Sequence, residues 1–473
     1  MPDKAKYKPS FTYSIMIILI VIMIIAIGLF VFEATIQIMM FAALLAVIPL
    51  IARLGYTFKE VEESAYQSML TALQPGMIIL TVGILIGSWM ASGTVPSIIY
   101  YGIQTISPNL FLVIALVLCS IVSMATGASW ATIGTAGVAM MGVGQSLGIP
   151  IGMTGGAVVS GAFFGDKMSP LSDSTNLSAA IVGVKLMDHI KHMLWTTGPA
   201  YIISAIIFTV LGFIYSGSSV DAEQVNILMN YLSENFKFGF IPLLPALIVI
   251  ILLVMRRPPV SSIFIGALAG GAVALFYQKE LTFSAILDVF YKGYTDSSGI
   301  ELVDTLLQQG GLTSMFPLLA LYLFALGLGG ILYEYGILEA ILSEIVTYIK
   351  RASQVVVLSM VTSYFLLFIG GSYSFSGVMT GTLMKPLFEK YNIPPENLSR
   401  LMEDTSTQAT PLVPWTAAGL FTSAALGISP LVYLPFSFLA LITPLFTLFY
   451  GITGLAMNYK ATTKKNKLAH SRH

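Results

Sequence analysis

Charge is what this sequence has least of. Asp, Glu, Lys and Arg make up 10% of its 473 residues, against roughly 25% in an average soluble domain, which excludes a soluble enzyme with a hydrated surface. The 23 Lys and Arg balance the 23 Asp and Glu, and without a basic surplus nothing recommends nucleic acid as a partner. A single cysteine, Cys119 within the apolar run Leu110 to Val122, excludes an internal disulfide and a cysteine metal centre. Histidine is almost as rare: His189, His192, His470 and His473 all fall in segments expected on the cytoplasmic face. A serine hydrolase working at Ser129 would therefore have no general base. His189 and His192, three apart beside Asp188, read as an exposed helix face rather than a zinc site. No Walker A string is present to use ATP, and the glycines of Leu326 to Gly330 follow no strand, so they read as helix packing rather than a nucleotide loop. The chain is not expected to be an enzyme or to carry a cofactor.

What replaces charge is apolar sequence. Hydrophobic residues make up 56% of the chain and mean hydropathy is +0.85, the composition of an integral membrane protein. The first run, Phe11 to Phe32, is too long for a signal-peptide core and lacks a small-residue cleavage site, so it is expected to be retained as a span. Nine more runs follow: Ala34 to Ile51, Pro75 to Ala91, Asn109 to Ala125, Trp195 to Tyr215, Gly239 to Met255, Ser261 to Tyr277, Leu312 to Tyr333, Gln354 to Ile369 and Pro430 to Gly451. Runs of ~20 apolar residues satisfy their backbone hydrogen bonds as helices, which open sheets cannot do in hydrocarbon. The expected fold is an all-α polytopic membrane protein with about ten spanning segments.

Gly127 to Val184 and Gly370 to Ser429 do not fit simple spans, being dense in Gly, Ser, Thr and Pro with a few embedded charges. They read as broken helices, and they resemble each other. Gly127-Ala128-Ser129 and Gly148-Ile149-Pro150 recur as Gly371-Ser372-Tyr373 and Asn392-Ile393-Pro394 at an offset of 244, which also pairs Gly137 with Gly381 and Pro170 with Pro414. Each half reads as two spans, an amphipathic connector (Thr57 to Gln74; Thr282 to Gln309), a span, a hairpin-like pair, an interrupted segment and a last span. Loop cations then set orientation. Lys4, Lys6, Lys8, Arg53, Lys59, Lys185, Lys191, Arg256, Arg257, Lys350, Arg351 and the C-terminal cations fall on one side if both termini are cytoplasmic, with Lys237, Lys279 and Lys292 against it. The division is a cytoplasmic N-terminus at 1–10, a first repeat at 11–216, an external linker at 217–238, a second, inverted repeat at 239–460 and a cytoplasmic tail at 461–473. Inverted repeats with broken helices and two re-entrant hairpins are the architecture in which carriers place a midplane site.

The chemistry lies where charge enters this background. No Asp, Glu, Lys or Arg occurs from Pro75 to Gly165; then comes Gly165-Asp166-Lys167-Met168-Ser169-Pro170-Leu171-Ser172-Asp173-Ser174-Thr175-Asn176-Leu177. A carboxylate at membrane depth is costly and marks a functional site by default. Pro170 removes a backbone donor, and the freed carbonyls with Ser, Thr and Asn oxygens suit a hard cation such as Na+. A loop with two solvated aspartates is the ordinary alternative. The second half carries Arg400-Leu401-Met402-Glu403-Asp404-Thr405-Ser406-Thr407 and on to Pro414-Trp415. Arg400 and Glu403 are spaced to pair on a helix surface, which leaves Asp404 as the stronger candidate. Candidate Na+ and H+ carboxylates are thus Asp166, Asp173 and Asp404, with Ser169, Thr175, Asn176, Thr405 and Thr407 as neutral ligands. Ser129, Ser372 and Ser374 stand at glycine-rich tips that either deliver oxygens to the same site as re-entrant turns or pack helices closely.

At Gly165 to Leu177, supported by Glu403 to Trp415, the sequence resembles the NhaC family of sodium:proton antiporters, in the wider ion transporter superfamily of inverted-repeat carriers. Ser174, which stands where relatives often have Thr, joins the candidate ligands through that resemblance. The resemblance implies Na+ exchange for H+ in the cell membrane, that of a prokaryote, and opens a branch in which malate uptake and lactate release are coupled to it. The expected activity is therefore secondary active exchange of cytoplasmic Na+ for external H+ by alternating access, with the bilayer, Na+ and H+ as partners. Malate or lactate co-exchange and a cation channel are the alternatives, and a homodimer is left open.

Overall fold

Apolar runs of this length fold as helices, and among the described residues every regular element is helical. The computed structural model describes residues 7–215, 222–278, 281–346 and 349–457. Part of the expected external linker and the whole tail at 461–473, with Lys4, Lys6, Lys279, His470 and His473, lie outside the described residues.

The first half begins with α1 (Phe11–Phe30), α2 (Ile36–Ala52), the connector α3 (Phe58–Leu70), α4 (Leu73–Ala91) and α5 (Thr94–Thr105). It continues with α6 (Phe111–Thr126), α7 (Ser129–Thr132), α8 (Val138–Ser146), α9 (Ile151–Met168), α10 (Asp173–Val182) and α11 (Leu186–Tyr215). After α12 (Ala222–Asn235) come α13 (Leu244–Val254), α14 (Pro259–Phe276), the connectors α15 (Phe283–Lys292) and α16 (Glu301–Leu307), α17 (Phe316–Glu334) and α18 (Ile337–Val346). The chain ends in α19 (Ala352–Gly370), α20 (Tyr373–Lys390), α21 (Pro395–Met402), α22 (Ala417–Leu426), α23 (Pro430–Tyr433) and α24 (Phe438–Thr453). Local chemistry sets the starts: Thr57 forms a capping box with Glu60 at α3, and Thr282 and Thr416 cap α15 and α22 with their hydroxyls. π-helical turns occupy Ile133–Gly137 and Glu403–Thr407.

Among the described residues seven helices are long and apolar enough to cross a membrane, or eight if the pair Ala417–Leu426 and Pro430–Phe436, bent by 84°, counts as one span. These seven coincide with seven of the ten expected runs. The remaining three form shorter apolar helices at Ile36–Ala52, Ile241–Val254 and Phe438–Thr453. Pro430 to Gly451 is therefore not one span as expected: Pro435 lacks a backbone donor and Ser437 leaves helical geometry at φ −80° and ψ 63°, so the long helix starts at Phe438.

The halves interlock reciprocally. α4 packs on α14 and α15 from the second half, while α17 packs on α2 and α3 from the first. The most extensive helix contact, α6 on α9, leads to the site.

Candidate functional site

The uncharged stretch ends where α9 is pinned against α6. A Cβ on Gly165 would meet Ser120 O and Met124 N at 2.5 Å, so the two backbones touch and the next residue, Asp166, has a fixed position. Asp166 lies beside the tip that follows α6: Gly127 turns there at φ +70°, and Ser129 Oγ donates to Asp166 Oδ2 at 2.7 Å. Pro170 breaks the helix as expected. Ser169 bridges the gap, donating to Met124 O at 3.0 Å and accepting from Leu171 N at 3.2 Å, and α10 restarts at Asp173.

The second half builds a matching corner. Gly371 turns at φ +62° after α19, its carbonyl accepts from Ala417 N at 3.3 Å, and Trp415 Nε1 donates to Phe368 O at 2.7 Å. In both halves, then, a residue of the broken segment hydrogen-bonds the carbonyl three residues before the tip glycine. A cavity of about 310 Å3 opens between the two corners, lined by Ser129, Asp166, Asp173, Ser174, Ser372 and Ser374. Asp166 is 9% exposed and has no cation partner among the described residues, whereas Asp173 is exposed. Both aspartates line this one cavity.

The other predicted ligands are occupied locally. Thr175 Oγ1 donates to Lys167 O at 2.9 Å, Asn176 Nδ2 to Pro170 O and Ser172 O at 3.0 and 2.7 Å, and Thr405 Oγ1 to Leu401 O at 2.7 Å. Thr407 is buried in the π turn. None of these four lines the cavity.

A family model described as the Na+/H+ antiporter family matches residues 161–455, which take in Asp166 and Asp173 from the first broken segment and the whole of the second. The chain belongs to the Na+/H+ antiporter family. It is 36% identical to the malate-2H+/Na+-lactate antiporter of Bacillus subtilis over 96% of this chain and 98% of that one. It is 34% identical to the Na+/H+ antiporter NhaC of Alkalihalophilus pseudofirmus, covering 98% of this chain and 99% of that one. It is also 30% identical to the arginine/ornithine antiporter ArcD of Halobacterium salinarum, over 96% and 94%.

In this member of the antiporter family a second polar cluster lies apart from the cavity. Lys167, one residue after Asp166, is ion-paired with Asp404, both side chains 0% exposed. Asp404 also accepts from Thr196 Oγ1 at 3.1 Å and from Thr447 Oγ1, which ties α9, α11, α24 and the second π turn together. Asp404 does not join Asp166 and Asp173 at the cavity, and among the described residues no three Asp, Glu, His or Cys gather to hold a metal.

Two expectations about neighbours are corrected. Arg400 and Glu403 do not pair on a surface; both are buried, and each takes other partners, Arg400 on its own helix and at Ala456, Glu403 on α10. Arg400 donates to Asn397 Oδ1 at 3.2 Å and Ala456 O at 3.3 Å, while Glu403 Oε1 accepts from Ser178 Oγ at 2.8 Å and its Oε2 has no partner among the described residues. His189 and His192 are not an exposed face: they are 0% and 6% exposed, because the first turns of α11 pack on α21, where His192 Nε2 meets Asn397 Oδ1 at 3.1 Å.

Proposed function

We propose that this antiporter exchanges cytoplasmic Na+ for external H+ by alternating access at Asp166. The observation that carries the reading is a buried carboxylate, without a cation partner, at the wall of a cavity where both tips and both broken segments meet. A desolvated carboxylate costs several kcal/mol unless a positive charge compensates it, and H+ and Na+ are alternative ways to supply that charge. Ser129 donates to one oxygen, and the hydroxyls of Ser174, Ser372 and Ser374 offer a hard cation further oxygens. Asp173, exposed at the same cavity, is the entry carboxylate. Asp404 is assigned a different task, as the counter-charge of Lys167.

Alternating access needs two bodies that move about the site. The reading of residues 11–216 and 239–460 as inverted repeats in the cell membrane, with cytoplasmic termini, is supported by the reciprocal packing of α4 with α14 and α17 with α2. It is supported also by the paired tip bonds, Ser169 to Met124 and Trp415 to Phe368. Co-exchange of small carboxylates is a second reading, favoured by the 36% identity to a malate/lactate antiporter.

Na+-driven pH change in everted vesicles, with and without malate or lactate, tests both. On Na+ addition wild type should carry Na+ into the acidified vesicle lumen and H+ out, raising the lumenal pH; Asp166→Asn should abolish the response at unchanged expression, and Asp188→Asn, exposed at the start of α11, should not. Full exchange by Asp166→Asn would remove Asp166 from the mechanism; ion current without counterflow would make the protein a channel.

A further inference from the structure

A desolvated Na+ needs only a shell of nearby oxygens, yet the cavity at Asp166 holds about 310 Å3. That is room for about ten waters at ~30 Å3 each, and it falls in the size class of small-molecule pockets. Its chemistry is one-sided. Asp166 and Asp173 supply two negative groups, Trp130, Tyr322 and Tyr373 supply aromatic surface, and no Lys, Arg or His lines it. The two buried cations nearby in sequence are committed elsewhere, Lys167 to Asp404 and Arg400 to Asn397 and the Ala456 carbonyl. An organic carboxylate would thus meet two like charges with no fixed cation to hold it, whereas an ammonium would meet both carboxylates and aromatic faces, which attract cations. Tyr322 is 3% exposed and lines the cavity with a phenol hydroxyl that no described residue hydrogen-bonds, a polar group left for a ligand.

We propose that this cavity also binds a small organic monocation, a short primary alkylammonium, with its charged head at Asp166 and its stem against Tyr322 and Trp130. The proposal rests on Asp166 being the exchange site, because the ammonium takes the place of Na+ there. It predicts competition: the two cations carry the same charge and neutralise the same carboxylate, so one excludes the other. It also predicts that the aromatic wall matters to the ammonium and little to Na+.

The test is 22Na+ counterflow in proteoliposomes with both faces at one pH, with propylammonium as competitor and propionate as its anionic counterpart, alongside calorimetric titration of propylammonium into the purified protein. Propylammonium should raise the Na+ half-saturation several-fold at unchanged maximal rate, propionate should not, and Asp166→Asn should lose propylammonium binding in the titration. Tyr322→Leu should weaken propylammonium about fivefold more than Na+, roughly 1 kcal/mol. No effect of propylammonium on Na+ half-saturation at ~100 mM, far above a millimolar Kd, would overturn the proposal. So would competition by propionate instead. If wild type shows no Na+ counterflow at all, the exchange reading fails on its own, and Asp166-dependent propylammonium binding in the titration still decides for or against the cavity.

Discussion

Lys167 and Asp404 offer the most quantitative test of the buried cluster, because both side chains are 0% exposed and their partners are known. Removing one member of a buried ion pair leaves an uncompensated charge and costs about 3–5 kcal/mol, while replacing both with neutral groups is often close to neutral. Lys167→Met leaves Asp404 with two hydroxyl donors, Thr196 and Thr447. Asp404→Asn leaves the Lys167 ammonium facing a neutral amide. Each should therefore cost about 3–5 kcal/mol, roughly a fifth or more of a typical folding free energy of about 5–15 kcal/mol. Lys167→Met/Asp404→Asn should recover to within about 1–2 kcal/mol of wild type, a coupling of at least about 4 kcal/mol in a double-mutant cycle. Unfolding of the purified protein by a denaturing detergent reads all four corners. Additive losses in the double variant would refute the pair as the reason for burial. Na+-dependent exchange by a stable double variant would leave the pair with a purely architectural task, tying four elements behind the cavity, as proposed above; loss of exchange by that stable variant would instead return Asp404 to the transport chemistry.

Three further predictions bear on geometry, topology and coupling. Gly165→Ala puts a Cβ 2.5 Å from the Ser120 carbonyl and the Met124 amide, a clash with backbone that must separate α6 from α9; exchange should fall steeply even though Ala is the better helix former, and wild-type exchange would deny the contact any part in placing Asp166. In a Cys119→Ala background, an impermeant thiol reagent should label Ser297→Cys in intact cells and Lys350→Cys only in everted vesicles; labelling of both from one side would end the inverted assignment. Na+ half-saturation should rise as pH falls, by up to about tenfold per pH unit for each proton competing at the site, in solid-supported membrane currents; a value constant from pH ~6 to ~9 would rule out a shared carboxylate.

Hydropathy made most of the helical framework legible. A run of apolar residues long enough to span has one way to satisfy its backbone in hydrocarbon, which is why the seven long helices fall on expected runs. The places where the reading slipped are those where a local backbone event overrides composition. Pro435 and Ser437 divide Pro430 to Gly451 although the side chains around them stay apolar. Both π turns are invisible to a 3.6-residue pattern, because the extra residue appears only when neighbouring elements claim the displaced groups, as Ser363 does with Thr405 at 2.7 Å.

The cavity was legible for a related reason: Asp166 ends a long uncharged stretch, and Ser129, Ser372 and Ser374 follow glycines that a tight tip requires. The buried cluster was not. Lys167 and Asp404 are 237 residues apart, and no short-range spacing connects them. A signal was nevertheless present. A lysine following a span's length of uncharged sequence needs a carboxylate, and Asp166, as its immediate neighbour on a helix, points to a different face. The partner had to come from the only comparable string, Arg400 to Thr407, where Arg400 and Glu403 looked mutually satisfied. That local pairing was the step that failed. In water an i, i+3 pair contributes a few tenths of a kcal/mol, too little to hold against burial, where each charge takes whichever fixed group lies nearest. Glu403 went to Ser178, Arg400 to Asn397, and Asp404 remained for Lys167. Spacing alone does not choose among these partners: Arg400 keeps an i, i−3 bond to Asn397 and also reaches Ala456, while the two carboxylates next to each other in sequence are claimed from 225 and 237 residues away, Glu403 by Ser178 and Asp404 by Lys167.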